Sequence, residues 1–367
     1  MFILNLQNQN QFPDDDVIIT EVIDIKARHR DFDSIWTINK SLDSTLNDWR
    51  LLDSSVPIVT LFTTFKVAAS RNDMNMNTLR LWASLRPAVR SVLFYTEGDD
   101  GSFLENARSL GWLTYPTPKL REGIPVLKDM FKYVIDHVTP KSAFIGYANS
   151  DVVFTEDLNR TLSYISHINW YRMNGQGLLL IGQRYDVLID TLKPIQGPIG
   201  IEQSNALRAT HKNGTIFLID YFITTSTGFP FDSLPDFVVG KPGYDNWIVS
   251  KSLEWQIRVI DCTKTIMALH QIRKYPNEDQ GWFTKNVCMN NDIVKPFAIY
   301  KGRTHCAAYL TDYFQDSVQI YKRVSLSKTC YREPSNSTEF YEHCRKLVLS
   351  KSIKMNSLLN KTATVGL

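Results

Sequence analysis

Short apolar runs alternate with longer amphipathic segments in this chain from about residue 56 to about residue 275. The short runs are rich in β-branched and aromatic residues, which is typical of buried strands. The longer segments repeat their apolar residues every three or four positions, which indicates helices that pack on one face. The pattern predicts strands at 56–62, 91–96, 112–115, 143–148, 178–182, 215–219 and 258–261, and helices at 78–85, 103–110 and 126–138.

This alternation predicts an α/β fold with a mostly parallel central sheet flanked by helices. In such a sheet, ligands bind beyond the carboxyl ends of the strands. Residues that directly follow a predicted strand are therefore the first candidates for a functional site. Hydrophobic residues make up 43% of the 367 positions, enough to fill a large core.

The same pattern divides the chain into three parts. Residues 1–50 are polar with weak periodicity, which predicts an N-terminal extension or stem, and residues 51–275 form the α/β domain. Residues 276–367 are predicted to be a C-terminal appendage that contains most of the cysteines. The five cysteines are Cys262, Cys288, Cys306, Cys330 and Cys344. Their spacing fits no zinc site and predicts disulfides in the appendage, with one thiol left over.

Charge and hydropathy exclude two classes of partner. The net charge is +3 and no dense run of lysine and arginine is present, so a nucleic-acid partner is not expected. No window approaches the roughly 18 to 20 apolar residues that a membrane span needs. Cysteines and five N-glycosylation motifs favour a secretory lumen, whereas free thiols and Met1 as the true start would favour the cytosol. The motifs are at Asn39, Asn159, Asn213, Asn336 and Asn360.

An acidic turn, Asn149-Ser150-Asp151, follows the strand predicted at 143–148. Hard divalent cations such as Mg²⁺ and Mn²⁺ take carboxylate oxygens as ligands. A carboxylate placed where the strand leaves the core would face the ligand crevice. The tripeptide is also typical of a plain turn in which Asn149 and Asp151 bond to their own backbone.

A second candidate is Asp245, which follows a loop rich in glycine and proline and opens an apolar helix. Capping of the helix N-terminus by a carboxylate is one explanation. The other is a general base that faces the crevice, because a glycine-rich loop lets a substrate approach the backbone closely. His270, after the strand at 258–261, is a third candidate, although a lone histidine is more often held structurally.

Together, these segments resemble the GT-A glycosyltransferases, over roughly residues 56 to 275. The resemblance rests on a threonine pair ending the first strand, the NSD turn, a Gly-x-Pro before a helix, and the order of the later motifs. More narrowly, it is to a family of predicted transferases with an NSD strand end and a GxDNW…VID…HQ pattern. The matching segments here are Gly243–Trp247, Val259–Asp261 and His270-Gln271.

The resemblance implies a role for each candidate residue. Asn149 and Asp151 stand where the family has its DxD metal and diphosphate motif, with Asn149 in place of the first aspartate, and His270 stands at a further metal ligand. The implied cofactor is a divalent cation, Mn²⁺ or Mg²⁺. Asp245 stands at the catalytic base. The residues implied to contact the nucleotide sugar are Thr63, Thr64, Glu97, Asn149, Asp151 and Arg184, with Asp220 and Tyr221 on the acceptor side.

The function implied is transfer of a hexose or N-acetylhexosamine from a nucleoside diphosphate sugar, a UDP-sugar, to an acceptor hydroxyl with inversion. If configuration is retained instead, Asp245 would orient the acceptor. If this protein is secretory, its expected location is the Golgi lumen.

Two other functions remain open at this point. A catalytically inactive GT-A-like binding or scaffold protein is favoured by Asn149. A nucleotidyltransferase would share the sheet and the metal chemistry, but it usually has a glycine-rich basic loop after the first strand. The segment 63–69 contains no glycine.

Overall fold

The computed structural model contains a ten-stranded sheet, a three-stranded sheet and a two-stranded hairpin. The residues it describes are 21–22, 56–168, 177–193, 195–211, 218–273, 288–290, 293 and 302–330. The strands are β1 Glu21–Val22, β2 Val59–Thr64, β3 Val89–Tyr95, β4 Leu113–Pro116, β5 Leu120–Arg121, β6 Ile124–Pro125, β7 Phe144–Ala148, β8 Val152–Phe154, β9 Leu178–Ile181, β10 Arg184–Leu188, β11 Tyr221–Thr225, β12 Arg258–Asp261, β13 Ala268–Ile272, β14 Tyr309–Phe314 and β15 Ser317–Lys322. The helices are α1 Asn72–Ser84, α2 Gly101–Ser109, α3 Leu127–His137, α4 Asp157–Ile168, α5 Ile189–Leu192, α6 Ile201–Thr210 and α7 Tyr244–Glu254.

The large sheet has the order β1-β15-β14-β12-β9-β11-β7-β2-β3-β4. Among these described strands, β11 and β15 run opposite to the others. The predicted α/β fold with a mostly parallel central sheet flanked by helices is therefore confirmed.

The strand order reverses beside β2. From β2 the chain moves outward through α1, β3, α2 and β4, and after α3 it returns to β7 on the other side of β2. In open α/β sheets the carboxyl ends of the strands form a ligand crevice at such a reversal. The register pairs Phe62 with Tyr147, so the ends of β2 and β7 leave the sheet at the same edge.

Alternating side chains of β2 place apolar groups in two cores, one on each face of the sheet. Leu61 packs in a core that includes Trp82 of α1 and Leu158 of α4, whereas Phe62 packs with Phe131 of α3 and Trp247 of α7. The sheet is thus covered by helices on both faces, which is why its central strands carry buried apolar residues on both faces.

The small sheet has β13 at its centre, parallel to β10 and antiparallel to β8. The turn Asn149–Asp151 connects β7 of the large sheet to β8 of the small sheet. The acidic turn therefore joins the two sheets, and its side chains lie where both sheets end.

Two predicted elements differ from the structure. Helix α1 begins at Asn72, not at Thr78, because its first turns bury polar residues: Asn75 donates to the carbonyl of Lys66. The strand predicted at 215–219 is wrong over its described part, 218–219, and the strand is instead β11, which pairs with β7 and β9. The rest of that prediction lies outside the described residues.

The described part of the C-terminal region adds β14 and β15 to the large sheet beside β12, and β1 pairs with β15. The remainder of residues 1–50 and residues 331–367 lie outside the described part. Across the described helices, none has the length and apolar character needed to cross a membrane. Asn159 is 3% exposed in α4, so its N-glycosylation motif is inaccessible in the folded protein, and the other four motifs fall outside the described residues.

A disulfide joins Cys306, just before β14, to Cys330, after β15, and Cys288 is also disulfide-bonded. Cys262 is a buried free thiol. The sequence predicts disulfides after residue 276 and one leftover thiol. The described cysteines agree with both predictions.

We expect the double variant Cys306→Ser, Cys330→Ser to lower the free energy of unfolding by about 3 kcal/mol, because the unfolded chain gains the freedom that closing a loop of 24 residues had removed. Urea unfolding of both proteins under non-reducing conditions measures the difference. Equal midpoints would show that the bond does not stabilise the C-terminal hairpin.

Candidate active site

Asp151 and His270 meet at the edge where the two sheets end. Strand β13 pairs with β8 so that His270 lies opposite Val152, and the Gln271 backbone amide donates to the Asp151 carbonyl at 2.9 Å. This register brings His270 Nε2 to 3.7 Å from Asp151 Oδ2, although 119 positions separate the residues in the chain. The two residues predicted to share a cation therefore lie side by side, at a separation longer than a hydrogen bond.

Asp186 fixes the orientation of His270. In the register of β10 and β13, Asp186 lies opposite His270, and its carboxylate Oδ1 lies 2.8 Å from His270 Nδ1. With Nδ1 bonded in this way, Nε2 faces Asp151. Asp151 Oδ1 is buried and has no hydrogen-bond partner among the described residues. The arrangement leaves one ring nitrogen and one carboxylate oriented towards a shared position.

Opposing effects act on the pKa values of His270 and Asp186. Burial lowers the pKa of His270, but the charge of Asp151 and the hydrogen bond to Asp186 outweigh it, so the pKa is raised. Burial raises the pKa of Asp186, but its bond to His270 and the charge of Arg184 outweigh that, so the pKa is lowered. The imidazole therefore holds its proton more tightly than an ordinary histidine does.

Asn149 lies in a hydrogen-bonded group at the start of β11. Its amide nitrogen donates to Asp220 at 2.8 Å, and its amide oxygen accepts from the hydroxyls of Tyr147 (3.0 Å) and Tyr244 (3.2 Å). Arg184 donates to the other oxygen of Asp220 at 2.8 Å. Because β11 is antiparallel to β7, its amino end lies at the carboxyl edge of the parallel strands, which brings Asp220 into the site.

Asp245 lies in the first turn of α7. The preceding Gly243 has a φ of 98°, a left-handed conformation that glycine adopts without strain, and caps the helix without a side chain. Burial raises the pKa of Asp245 to about 7, against backbone N–H groups at the helix start that lower it, and the charge of Asp220 adds to the rise. Its buried Oδ1 has no hydrogen-bond partner in the described structure. Asp245 is thus a carboxyl group that titrates near neutral pH.

The remaining predicted contacts lie along the same edge. Thr64 ends β2 and is partly exposed, whereas Thr63 is fully buried, so its side chain faces the core. Glu97 follows β3, the neighbour of β2, and is exposed. Arg184 begins β10 and also contacts Asp186, with Nε 3.2 Å from Oδ1. Thr64, Glu97 and Arg184 therefore have side chains accessible at this edge.

Arg71 and Asp186 have no sequence signal of their own, and Gln271 has one only as part of the segment His270-Gln271. Arg71, just before α1, donates to Asp151 Oδ2 at 3.1 Å. Gln271, next to His270 on the opposite face of β13, is buried and bonds to Thr78 of α1 at 2.9 Å and to the Met74 carbonyl. Asp186 would have been found only if β10 and β13 had been recognised as neighbours.

The structure is an α/β fold in which acidic side chains and His270 meet at the edge where the large and small sheets end. No family model matches the sequence, and no curated protein matches it. One solved structure that is similar to this chain is a mannosyltransferase from Pyrobaculum calidifontis in complex with GDP-Man and Mn²⁺. It is 11% identical, with a TM-score of 0.37. The match covers 65% of this chain and 66% of that chain, so this chain spans just under two thirds of the length of the mannosyltransferase.

Another is glucosyl-3-phosphoglycerate synthase from Mycobacterium tuberculosis, in complex with Mn²⁺, UDP and glucosyl-3-phosphoglycerate. It is 10% identical, with a TM-score of 0.34, and the match covers 76% of this chain and 91% of that one. TM-scores this low carry no functional conclusion.

Proposed function

We propose that this protein is a glycosyltransferase that moves a sugar from a nucleoside diphosphate sugar, a UDP-sugar, to an acceptor hydroxyl with the help of a divalent cation. One observation carries the proposal. His270 Nε2 lies 3.7 Å from an Asp151 carboxylate oxygen, and Asp245 on α7, whose pKa is about 7, is close enough to Asp220 for the charge of Asp220 to raise that pKa. A sugar transfer to a hydroxyl needs both, a means to neutralise a leaving diphosphate and a base for the acceptor.

Asp151 and His270 are the residues that would hold the cation. Two ligands bound at about 2.0–2.3 Å lie at most about 4.6 Å apart, and the pair is 3.7 Å apart. The unpartnered Asp151 Oδ1 and the bond of His270 to Asp186 also fit, since a ligating histidine usually gives its other nitrogen to a carboxylate or carbonyl. When bound, Mn²⁺ or Mg²⁺ supplies charge neutralisation at the diphosphate.

Asn149 takes a different role in this proposal from that of a DxD aspartate. Its amide oxygen accepts from two tyrosine hydroxyls and its nitrogen donates to Asp220. We assign it the task of positioning Asp220, which with Arg184 offers a carboxylate and a guanidinium to the hydroxyls of the donor sugar. Thr64 and Glu97, along the same edge, are the proposed contacts for the nucleoside.

Asp245 is the proposed base. Above about pH 7 its carboxylate is ionised, and it would take the proton from the acceptor hydroxyl as that oxygen attacks the anomeric carbon. Attack from the side opposite the leaving diphosphate inverts the configuration. A base whose pKa is close to the working pH is both ionised and basic enough for this step.

Thermal unfolding with UDP and GDP, each with and without Mn²⁺, tests the proposal. A ligand at one hundred times its dissociation constant stabilises the native state by about 2.7 kcal/mol. We expect UDP to raise the melting temperature and Mn²⁺ to enlarge that rise. A melting temperature that does not respond to either nucleotide in any combination would count against a glycosyltransferase.

A second candidate, a GT-A-like protein that binds the nucleotide without turnover, is favoured by the state of Asn149. Its amide oxygen and one of its amide N–H groups are already bonded to protein groups, so the turn offers one carboxylate where two would bind a cation more tightly. Nucleotide binding without release of UDP from any UDP-sugar, in the presence of Mn²⁺, would favour this candidate.

We expect Asp186→Asn to weaken Mn²⁺ binding by about 10- to 100-fold, the usual cost of losing the carboxylate behind a metal-binding histidine. Asparagine keeps the size but not the charge that holds the imidazole. Isothermal titration with Mn²⁺ measures the affinity, and Asp190→Asn, an exposed aspartate two residues beyond the strand, is the matched control. Equal weakening by both variants would mean that only net charge matters.

A further inference from the structure

The best-placed unassigned group in the crevice is the guanidinium of Arg71. We infer that Arg71 neutralises Asp151 while the cation site is empty and turns to the donor's diphosphate when the cation binds. This inference rests on the proposed function for its ligand.

Contacts of Arg71 show where its charge lies. Its Nη2 donates to Asp151 Oδ2 at 3.1 Å, and that same oxygen is 3.7 Å from His270 Nε2. The guanidinium is therefore next to the position that a cation shared by Asp151 and His270 would occupy. The side chains of Arg71 and Asp151 are 22% and 19% exposed, so the pair is accessible to a ligand.

Hydrogen bonds hold the backbone of Arg71 in place, whereas only one nitrogen of its guanidinium is bonded among the described residues. Its amide donates to the Ala68 carbonyl at 2.8 Å, and Arg273 donates to the carbonyl of the preceding Ser70. In contrast, Nη2 makes the only side-chain hydrogen bonds of Arg71 among the described residues, to Asp151 and, weakly, to the sulfur of Met74 at 3.5 Å. Nε and Nη1 are left to bind an anion.

Two physical effects couple Arg71 to the cation. A divalent cation next to Asp151 repels the guanidinium and takes over its partner, which weakens the ion pair. A diphosphate that arrives with the cation presents oxygens that guanidinium groups bind in pairs. Arg71 also stands directly before the 13-residue helix α1, whose first turn favours negative charge, and no side chain caps that end.

This arrangement predicts effects of opposite sign for one substitution. With Arg71→Met, Mn²⁺ no longer competes with a guanidinium, so its affinity in the absence of phosphate should rise by about threefold to tenfold. Binding of inorganic pyrophosphate in the presence of Mg²⁺ should weaken by at least about tenfold, because a charged donor is lost. Arg71→Lys keeps the positive charge but loses the paired N–H donors of the guanidinium. Its affinities for Mn²⁺ and for pyrophosphate should therefore lie between those of the wild type and Arg71→Met.

Isothermal titration measures both affinities, with Mn²⁺ alone and with pyrophosphate in Mg²⁺. Arg108→Met is the matched control: Arg108 is exposed in the last turn of α2, which runs back from the crevice edge, and it should change neither affinity. Unfolding by urea checks that each variant is folded.

The outcomes separate the inference from the proposed function. Opposite shifts in Arg71→Met support the inference. Mn²⁺ binding that weakens or stays unchanged, pyrophosphate binding that stays unchanged, or a wild-type protein that binds no pyrophosphate would overturn it. If the wild type binds UDP no more tightly than pyrophosphate, the proposed nucleotide-sugar function fails while the inference about Arg71 stands on the other two titrations.

Discussion

Replacing Asp245 by asparagine is expected to lower turnover by about 10²- to 10⁴-fold, the usual contribution of a general base. Aspartate and asparagine have nearly the same volume, and both are compatible with the first turn of a helix, so α7 should keep its structure. The variant loses the negative charge and the ability to accept a proton. The affinity for UDP, measured by titration calorimetry in Mn²⁺, should remain nearly unchanged.

The raised pKa of Asp245 also predicts how the stability of the protein changes with pH. Because the folded-state pKa of about 7 lies above the unfolded value, the folded protein holds the proton more tightly, and its stability falls as pH rises between about 4 and 7. Where the folded and unfolded pKa values differ by one, the free energy of unfolding changes by roughly 1.4 kcal/mol. Asp245→Asn should therefore be more stable than the wild type at pH 8 and similar at pH 4, a difference that urea unfolding at both pH values measures.

Turnover of the wild type should rise as pH increases through about 7 and then level off, as the base ionises. The residual activity of Asp245→Asn should lack this rise. Full activity in the variant would show that Asp245 serves only the helix terminus, and the inverting mechanism built on it would be wrong.

Replacing Asp151 by asparagine is expected to have the opposite effect to Asp245→Asn: it should weaken the metal-dependent binding of the donor first. The neutral amide is a poorer ligand for a hard cation and leaves the His270 imidazole without the charge of Asp151. The stabilisation that Mn²⁺ adds to UDP should disappear, whereas any stabilisation by UDP alone should persist. Thermal unfolding with UDP, with and without Mn²⁺, measures both.

Asp232→Asn is the matched control for Asp151→Asn, because Asp232 is an aspartate with an 87% exposed side chain in a short surface turn. It should keep the full response to Mn²⁺. An Asp151→Asn protein that responds to Mn²⁺ like the wild type would remove Asp151 from the cation site.

The central strands of the large sheet follow from local pattern. Strands β2, β3, β7, β9 and β12 are apolar runs buried on both faces, and such runs are visible without knowing their neighbours. The start of α1 is not, because Asn77 looks exposed in sequence but is buried and donates to Gln271 at 3.0 Å. The partner of this amide is 194 positions away, beyond the reach of any periodicity.

The candidate site also contains residues that the sequence identifies and residues that it does not. Asp151 and Asp245 could be found because each follows or opens an element next to apolar residues, and His270, inside β13, could be found only through the resemblance. Asp186 could not, because its role comes from the pairing of β13 with β10, and Arg71 could not, because its contact with Asp151 spans 80 positions. Long-range strand register, and not residue type, decides which polar groups meet.

The central claim is that Asp151 and His270 share a cation that binds the donor's diphosphate. Crystals grown with Mn²⁺ and UDP, with diffraction measured at the manganese absorption edge, test it directly. The account predicts one anomalous peak about 2.0–2.3 Å from both Asp151 Oδ2 and His270 Nε2, with the UDP diphosphate bound to it. A manganese peak that contacts neither residue, or UDP bound away from the carboxyl ends of β2 and β7, would contradict it.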